Sequence, residues 1–151
     1  MDATNQHIAK FTQGIKLVAF VNGIAAIFHV IFWTFVFLRL PRLSTTISDI
    51  DRADLTVTYG LGIADLLWSV PFLIIGSIWL QKHRLIGWLA AQMANALWWY
   101  SFTFIIFREY HTNIRPGTIL FLPFALFSIW SSWYLWQVKT VFLENTSEKL
   151  S

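Results

Sequence analysis

Two ionisable side chains interrupt long apolar stretches of this sequence, and they are the residues best placed to do chemistry. His29 lies within LVAFVNGIAAIFHVIFWTFVFL and Asp65 within TYGLGIADLLWSVPFLIIGSIWL. An imidazole or a carboxylate taken out of water is costly, so each requires a partner or a task. Together they could hold a proton, a cation or a polar headgroup, or act as acid and base on a bound lipid. They could equally tie two helices together as a polar clasp. In contact, the two groups would titrate as a pair rather than singly. If the stretches are helical, a rise of 1.5 Å per residue sets His29 roughly 20 Å and Asp65 roughly 22 Å from the same end. Trp99 and Tyr100, in a third apolar stretch, fall at that level, and Asn95 lies one helical turn away. The candidate ligand or proton site is therefore His29, Asp65, Asn95, Trp99 and Tyr100.

Other chemistry is poorly represented. The run DIDRAD, with Asp49, Asp51 and Asp54, lacks the glycine and the terminal glutamate of a calcium loop and reads as helix capping. His83 and His111 do not combine with His29 into a zinc-ligand spacing, so no metal is expected. Haem held by two buried histidines would need a second one inside an apolar stretch. The chain has no cysteine, which excludes disulfides, thiol redox chemistry and iron–sulfur clusters. No glycine-rich phosphate loop and no nucleophile elbow is present, and no cofactor follows from any motif.

The elements that must position these residues are set by composition. Of 151 residues, 56% are hydrophobic, 18% aromatic and 13% charged, with a mean hydropathy of +0.57. Soluble domains carry about 25% charged residues, roughly twice this supply. Stretches of about 20 apolar residues suffice to span a bilayer. Four are expected, over 16–38, 58–80, 85–107 and 117–138, with 1–15 an interfacial lead-in and 144–151 a loose tail. The short QKHR and REYHTNIRP connections force neighbouring helices antiparallel. The fold class expected is all-α, an integral membrane four-helix bundle in up-down order forming one domain.

Helical phase supports inward polar seams. Asn22, Ala26, His29 and Trp33 share one face of the first stretch, and Gly62, Asp65, Ser69, Phe72 and Gly76 one face of the second. Gln92, Asn95, Trp99 and Phe102 line the third, and Ser128, Ser131 and Ser132 the fourth. Small and hydrogen-bonding residues on inward faces are how membrane helices associate. Among nine tryptophans, Trp79, Trp88 and Trp136 read as an interfacial belt, with Trp33 on the far side. Trp68, Trp98, Trp99 and Trp130 lie deeper, as packing bulk or as an aromatic wall for a flat or cationic ligand.

A formal net charge of +3 could suggest nucleic acid in a soluble protein. Here the basic residues flank apolar stretches, so lipid headgroups are the expected partner and nucleic acid is not. Lys10, Lys16, Lys82, Arg84, Lys139 and Lys149 lie on one side; Arg39, Arg42, Arg52, Arg108 and Arg115 lie on the other. The two basic residues of the short QKHR turn favour that side as cytoplasmic, with both termini beside it. The near balance of the two sides also admits dual insertion and a homodimer.

The segment GLGIADLLWSVPFLIIGSIWLQKHRLIGWLAAQ, Gly60 to Gln92, resembles the central hairpin of the DoxX-like small four-helix membrane proteins. The likeness rests on a glycine-rich start, the early acid Asp65, Gly76, a basic turn and a small-residue third helix. It implies a four-helix bundle and either a partner subunit in a membrane complex or a quinone-like ligand. The leading expectation is thus a non-catalytic membrane protein that binds a small lipophilic or quinone-like ligand or docks on a larger complex. A proton-coupled exporter of small cations, working as a homodimer, is the alternative. A lipid-modifying or isomerising enzyme using His29 and Asp65 is the third.

Overall fold

The computed structural model describes residues 3–41, 48–110 and 116–147. Arg42, His111, Arg115 and Lys149 lie outside the described residues. The described chain is all-helical, with no strand among its residues. Helix α1 runs Ala3–Arg39. Helix α2 (Asp49–Ala64), a π-helical turn (Asp65–Ser69) and α3 (Val70–Gln81) form one continuous rod of 33 residues, Asp49–Gln81. Then follow α4 (Leu85–Glu109), α5 (Pro116–Gln137) and the short α6 (Lys139–Ser147).

Helix ends follow local chemistry. Ser48 caps α2: its Oγ accepts the Asp51 amide at 3.1 Å and donates to the Asp51 carboxylate at 2.6 Å. Asp49 and Asp51 then sit in the first turn, where negative charge suits the helix dipole. Proline at the first position of α5 removes an amide that would have lacked a partner there. Helix α3 closes in a Schellman turn. The Arg84 amide reaches the Trp79 carbonyl at 3.1 Å and the His83 amide the Leu80 carbonyl at 2.9 Å. His83 takes the left-handed conformation, φ 50°, that this turn demands. The returning α4 then lies hard against α3, because Gly87 has no Cβ; one there would fall inside the Trp79–Leu80 backbone.

Helix α1 packs on α3, α3 on α4, and α4 on α5, and α5 also touches α1. Two buried clusters stack along these contacts. The one nearer the α3–α4 turn joins Ile15, Val18, Leu80, Ala91, Leu135 and Phe142. The other joins Ala25, Ala26, Leu73, Ala94, Trp98 and Phe121. Among the described residues two helices, Thr12–Arg39 and Asp49–Gln81, are long and apolar enough to cross a bilayer.

The structure adds detail at both ends of the chain. Helix α1 is unbroken from Ala3, and Ile15 is already core at 1% exposure. At the other end α6 continues to Ser147. Its anchor is Phe142, fully buried in the first cluster, which holds a segment whose polar composition alone suggests solvent.

Candidate functional site

The π-helical turn sets the site. Pro71 cannot donate a backbone hydrogen bond and its ring crowds the preceding turn, so the rod widens just before it. The Val70 amide bonds back to the Asp65 carbonyl, five residues away. This widening carries Asp65 and Ser69 on the inner face, each 6% exposed. Such π turns recur at functional sites.

A carboxylate buried to this extent needs donors, and three converge on it. Trp33 donates its indole N–H to Oδ2 at 3.0 Å, Ser69 its hydroxyl to Oδ1 at 3.1 Å, and Ser101 reaches Oδ1 at 3.5 Å. They come from α1, the rod and α4, so Asp65 joins three elements. Gly62 leaves the room that the Trp33 ring occupies, since a Cβ there would collide with Trp33 and Phe37.

His29, 3% exposed, faces the same point. Its Nε2 lies 3.9 Å from Asp65 Oδ2, an ion-pair distance but too long for a direct hydrogen bond. Its Nδ1 lies 3.1 Å from the Ala25 carbonyl. A carbonyl only accepts, so this contact assigns a proton to Nδ1. Trp98 and Phe121 meet the imidazole edge to face, with centroids at 4.7 and 5.6 Å.

These residues form the floor of a cavity of about 280 Å³. Its walls are apolar and aromatic: Phe32, Trp33, Leu61, Leu97, Trp98, Ile105 and Phe121. It extends toward the end of the helices opposite the α3–α4 turn, roughly 16 Å along the helices from His29 and Asp65. Leu40, Asp54, Thr58, Arg108, Glu109 and Thr118 ring that end. There Arg108 Nη1 donates to Thr58 Oγ1 at 3.3 Å, while its buried Nε has no hydrogen-bond partner among the described residues. Glu109, 4% exposed, accepts from Thr118 Oγ1 at 2.6 Å. Among the described residues no cluster of three metal-ligating side chains occurs.

The candidate set therefore divides. His29 and Asp65 come together on the cavity floor. Asn95 does not join them: though 2% exposed, it donates to Ser131 Oγ at 3.1 Å and ties α4 to α5. Trp99 is half-buried beside Phe102, away from the cavity, and Tyr100 faces outward at 67% exposure. Depth was the weak criterion: at 3.6 residues per turn, neighbours at one level point in different directions. Trp98 is the residue that reaches His29. The stripe Ala91, Ala94, Trp98, at i, i+3 and i+7, carried that signal. Trp33 is likewise buried rather than interfacial, and its place four residues after His29 on the same seam marked it.

Chemically, the floor offers two acceptors on opposite sides of a small gap. The His29 Nε2 lone pair and the Asp65 Oδ2 carboxylate can hold a donor group or exchange a proton with a bound molecule. No family model, no curated protein and no solved structure matches this chain.

Proposed function

We propose that this chain is a multi-pass membrane protein whose helices enclose a binding cavity for a small lipophilic ligand with a polar head. In this reading the rod Asp49–Gln81, α1, α4 and α5 are four spans in up-down order, and both termini face the cytoplasm. Support comes from the outer surface. Phe20, Ile27, Ile31, Leu67, Phe107 and Ile119 are each more than 60% exposed, on faces that water would not tolerate at this density. Cations lie over aromatic rings at both ends, as at a membrane interface: Lys82 and Arg84 over Trp79, Lys139 over Trp136, and Arg39 over Phe35. The resemblance to DoxX-like proteins adds a partner subunit or a quinone-like molecule as ligand class.

The single observation that carries the reading is the layering of the cavity. A polar floor lies under apolar aromatic walls, which suit the apolar body of a ligand whose head reaches His29 and Asp65, and the far end is polar again. A second reading, an acid–base enzyme acting on a lipid, is favoured by one geometric fact. His29 has its Nδ1 anchored while its Nε2 and the Asp65 carboxylate border the same space. Native mass spectrometry of protein extracted gently from its own membrane tests the proposal. A small molecule should accompany the parent and be lost from Ser101→Leu, which fills the cavity from its half-buried wall. Equal occupancy of parent and variant would refute binding at this cavity. Conversion of the bound molecule during incubation would favour the enzyme reading.

A further inference from the structure

We infer that the ligand is a lipophilic ammonium, an apolar body bearing a primary or secondary amine. This deepens the ligand-binding reading above and rests on it, with an ammonium in place of the quinone-like ligand that the DoxX-like resemblance implies. The first argument is donor counting at the floor. The His29 Nδ1 proton is committed to Ala25, leaving Nε2 as an acceptor, and Asp65 is an acceptor throughout. Among the described residues no floor group donates into the gap: the Trp33 indole and the Ser69 and Ser101 hydroxyls are all directed at Asp65. A nitrogen about 2.9 Å from both Nε2 and Oδ2 fits a pair of acceptors 3.9 Å apart, within ordinary hydrogen-bond distances. It must donate twice. A hydroxyl has one proton to give and leaves one acceptor unmatched, whereas an alkylammonium has two or three. A carboxylate or a quinone carbonyl brings acceptors to acceptors.

The second argument is electrostatic. Among the described residues the carboxylate at the floor of the cavity, Asp65, has no guanidinium or ammonium beside it; Arg108 lies at the far end, with Asp54 and Glu109. The rings packed on His29, Trp98 and Phe121, carry π systems of the kind that attract a cation within about 6 Å. Both features favour positive charge on the polar end and apolar character along the body.

The test uses the full chain in lipid nanodiscs and three probes of one shape: 4-phenylbutylamine, 4-phenylbutan-1-ol and 4-phenylbutanoate. Thermal shift titrations, corrected for partition into protein-free discs, report affinity. The amine should bind about tenfold or more tightly than the alcohol, since a hydrogen bond to an ionised carboxylate outweighs a neutral one by that order. The acid should give no shift. Asp65→Asn should abolish the preference of amine over alcohol while the alcohol still binds. Alcohol binding as tight as amine, in the unmodified protein, would overturn the ammonium assignment and leave the cavity as a neutral-ligand site. Unchanged amine affinity in Asp65→Asn would overturn it as well. If none of the three probes binds, the ligand-binding reading itself fails together with this inference.

Discussion

Replacing Trp33 by Phe keeps an aromatic ring on the cavity wall but deletes the indole N–H that reaches Asp65 Oδ2 at 3.0 Å. Both residues are almost fully buried, Trp33 at 4% and Asp65 at 6% exposure, so bulk water cannot replace the lost donor. Hydrogen bonds to charged groups in water-soluble proteins contribute about 1.5–3 kcal/mol. Between membrane helices the measured average is lower, near 0.6 with a maximum near 1.7 kcal/mol, because the unfolded chain in lipid also finds partners. The carboxylate here is held by two further donors, Ser69 and the more distant Ser101, so its loss is partial. These limits bracket the cost of Trp33→Phe at about 1–2 kcal/mol, roughly a 5- to 30-fold loss in the folding constant. The matched control is Trp68→Phe, the same chemical change at a site 59% exposed, with an expected cost within about 0.5 kcal/mol. Reversible unfolding in mixed micelles, titrated with a denaturing detergent, compares the two directly. If Trp33→Phe unfolds at the same midpoint as Trp68→Phe, the Trp33–Asp65 bond contributes nothing and the donor count around Asp65 is wrong.

Two further outcomes follow from the geometry. Gly87→Ala should lower the melting temperature despite a gain of about 1 kcal/mol in helix propensity, because its Cβ falls inside the Trp79–Leu80 backbone. Gly60→Ala, where nothing lies within 4 Å, should raise it, and equal effects at the two sites would contradict the close α3–α4 packing. Because the chain has no cysteine, Ser48→Cys and His83→Cys each introduce a unique thiol. Membrane-impermeant reagents should label them from opposite sides, and same-side labelling would sink the proposed topology.

The all-helical character of the described chain was legible because composition and apolar stretch length leave little freedom. The meeting of His29 and Asp65 was legible too, since seam phase and depth agreed on both helices. Phase and depth parted company on α4. Trp98 and Trp99 occupy one level, and only contact with α1 distinguishes Trp98, against His29, from Trp99, against Phe102. Trp33 looked interfacial because an indole near an apolar boundary usually is; its carboxylate partner comes from another helix. The π-helical turn had a visible trigger in Pro71, but whether a proline kinks, breaks or widens a helix depends on neighbouring side chains. The Arg108, Thr58, Glu109 and Thr118 contacts at the cavity's far end were beyond reach of the sequence, since they depend on how three helix ends splay.

The central claim is that small lipophiles occupy the cavity above His29 and Asp65. Crystals of the protein, soaked in turn with 4-(4-bromophenyl)butylamine and its alcohol, locate the bromine by anomalous scattering. The expected result is a peak between the walls of Phe32, Leu61, Leu97 and Ile105, with the polar end of at least one probe directed at the His29–Asp65 gap. Bromine found only on the outer faces, for instance in the shallow apolar groove of Gly23, Ile27 and Ile74, would contradict it.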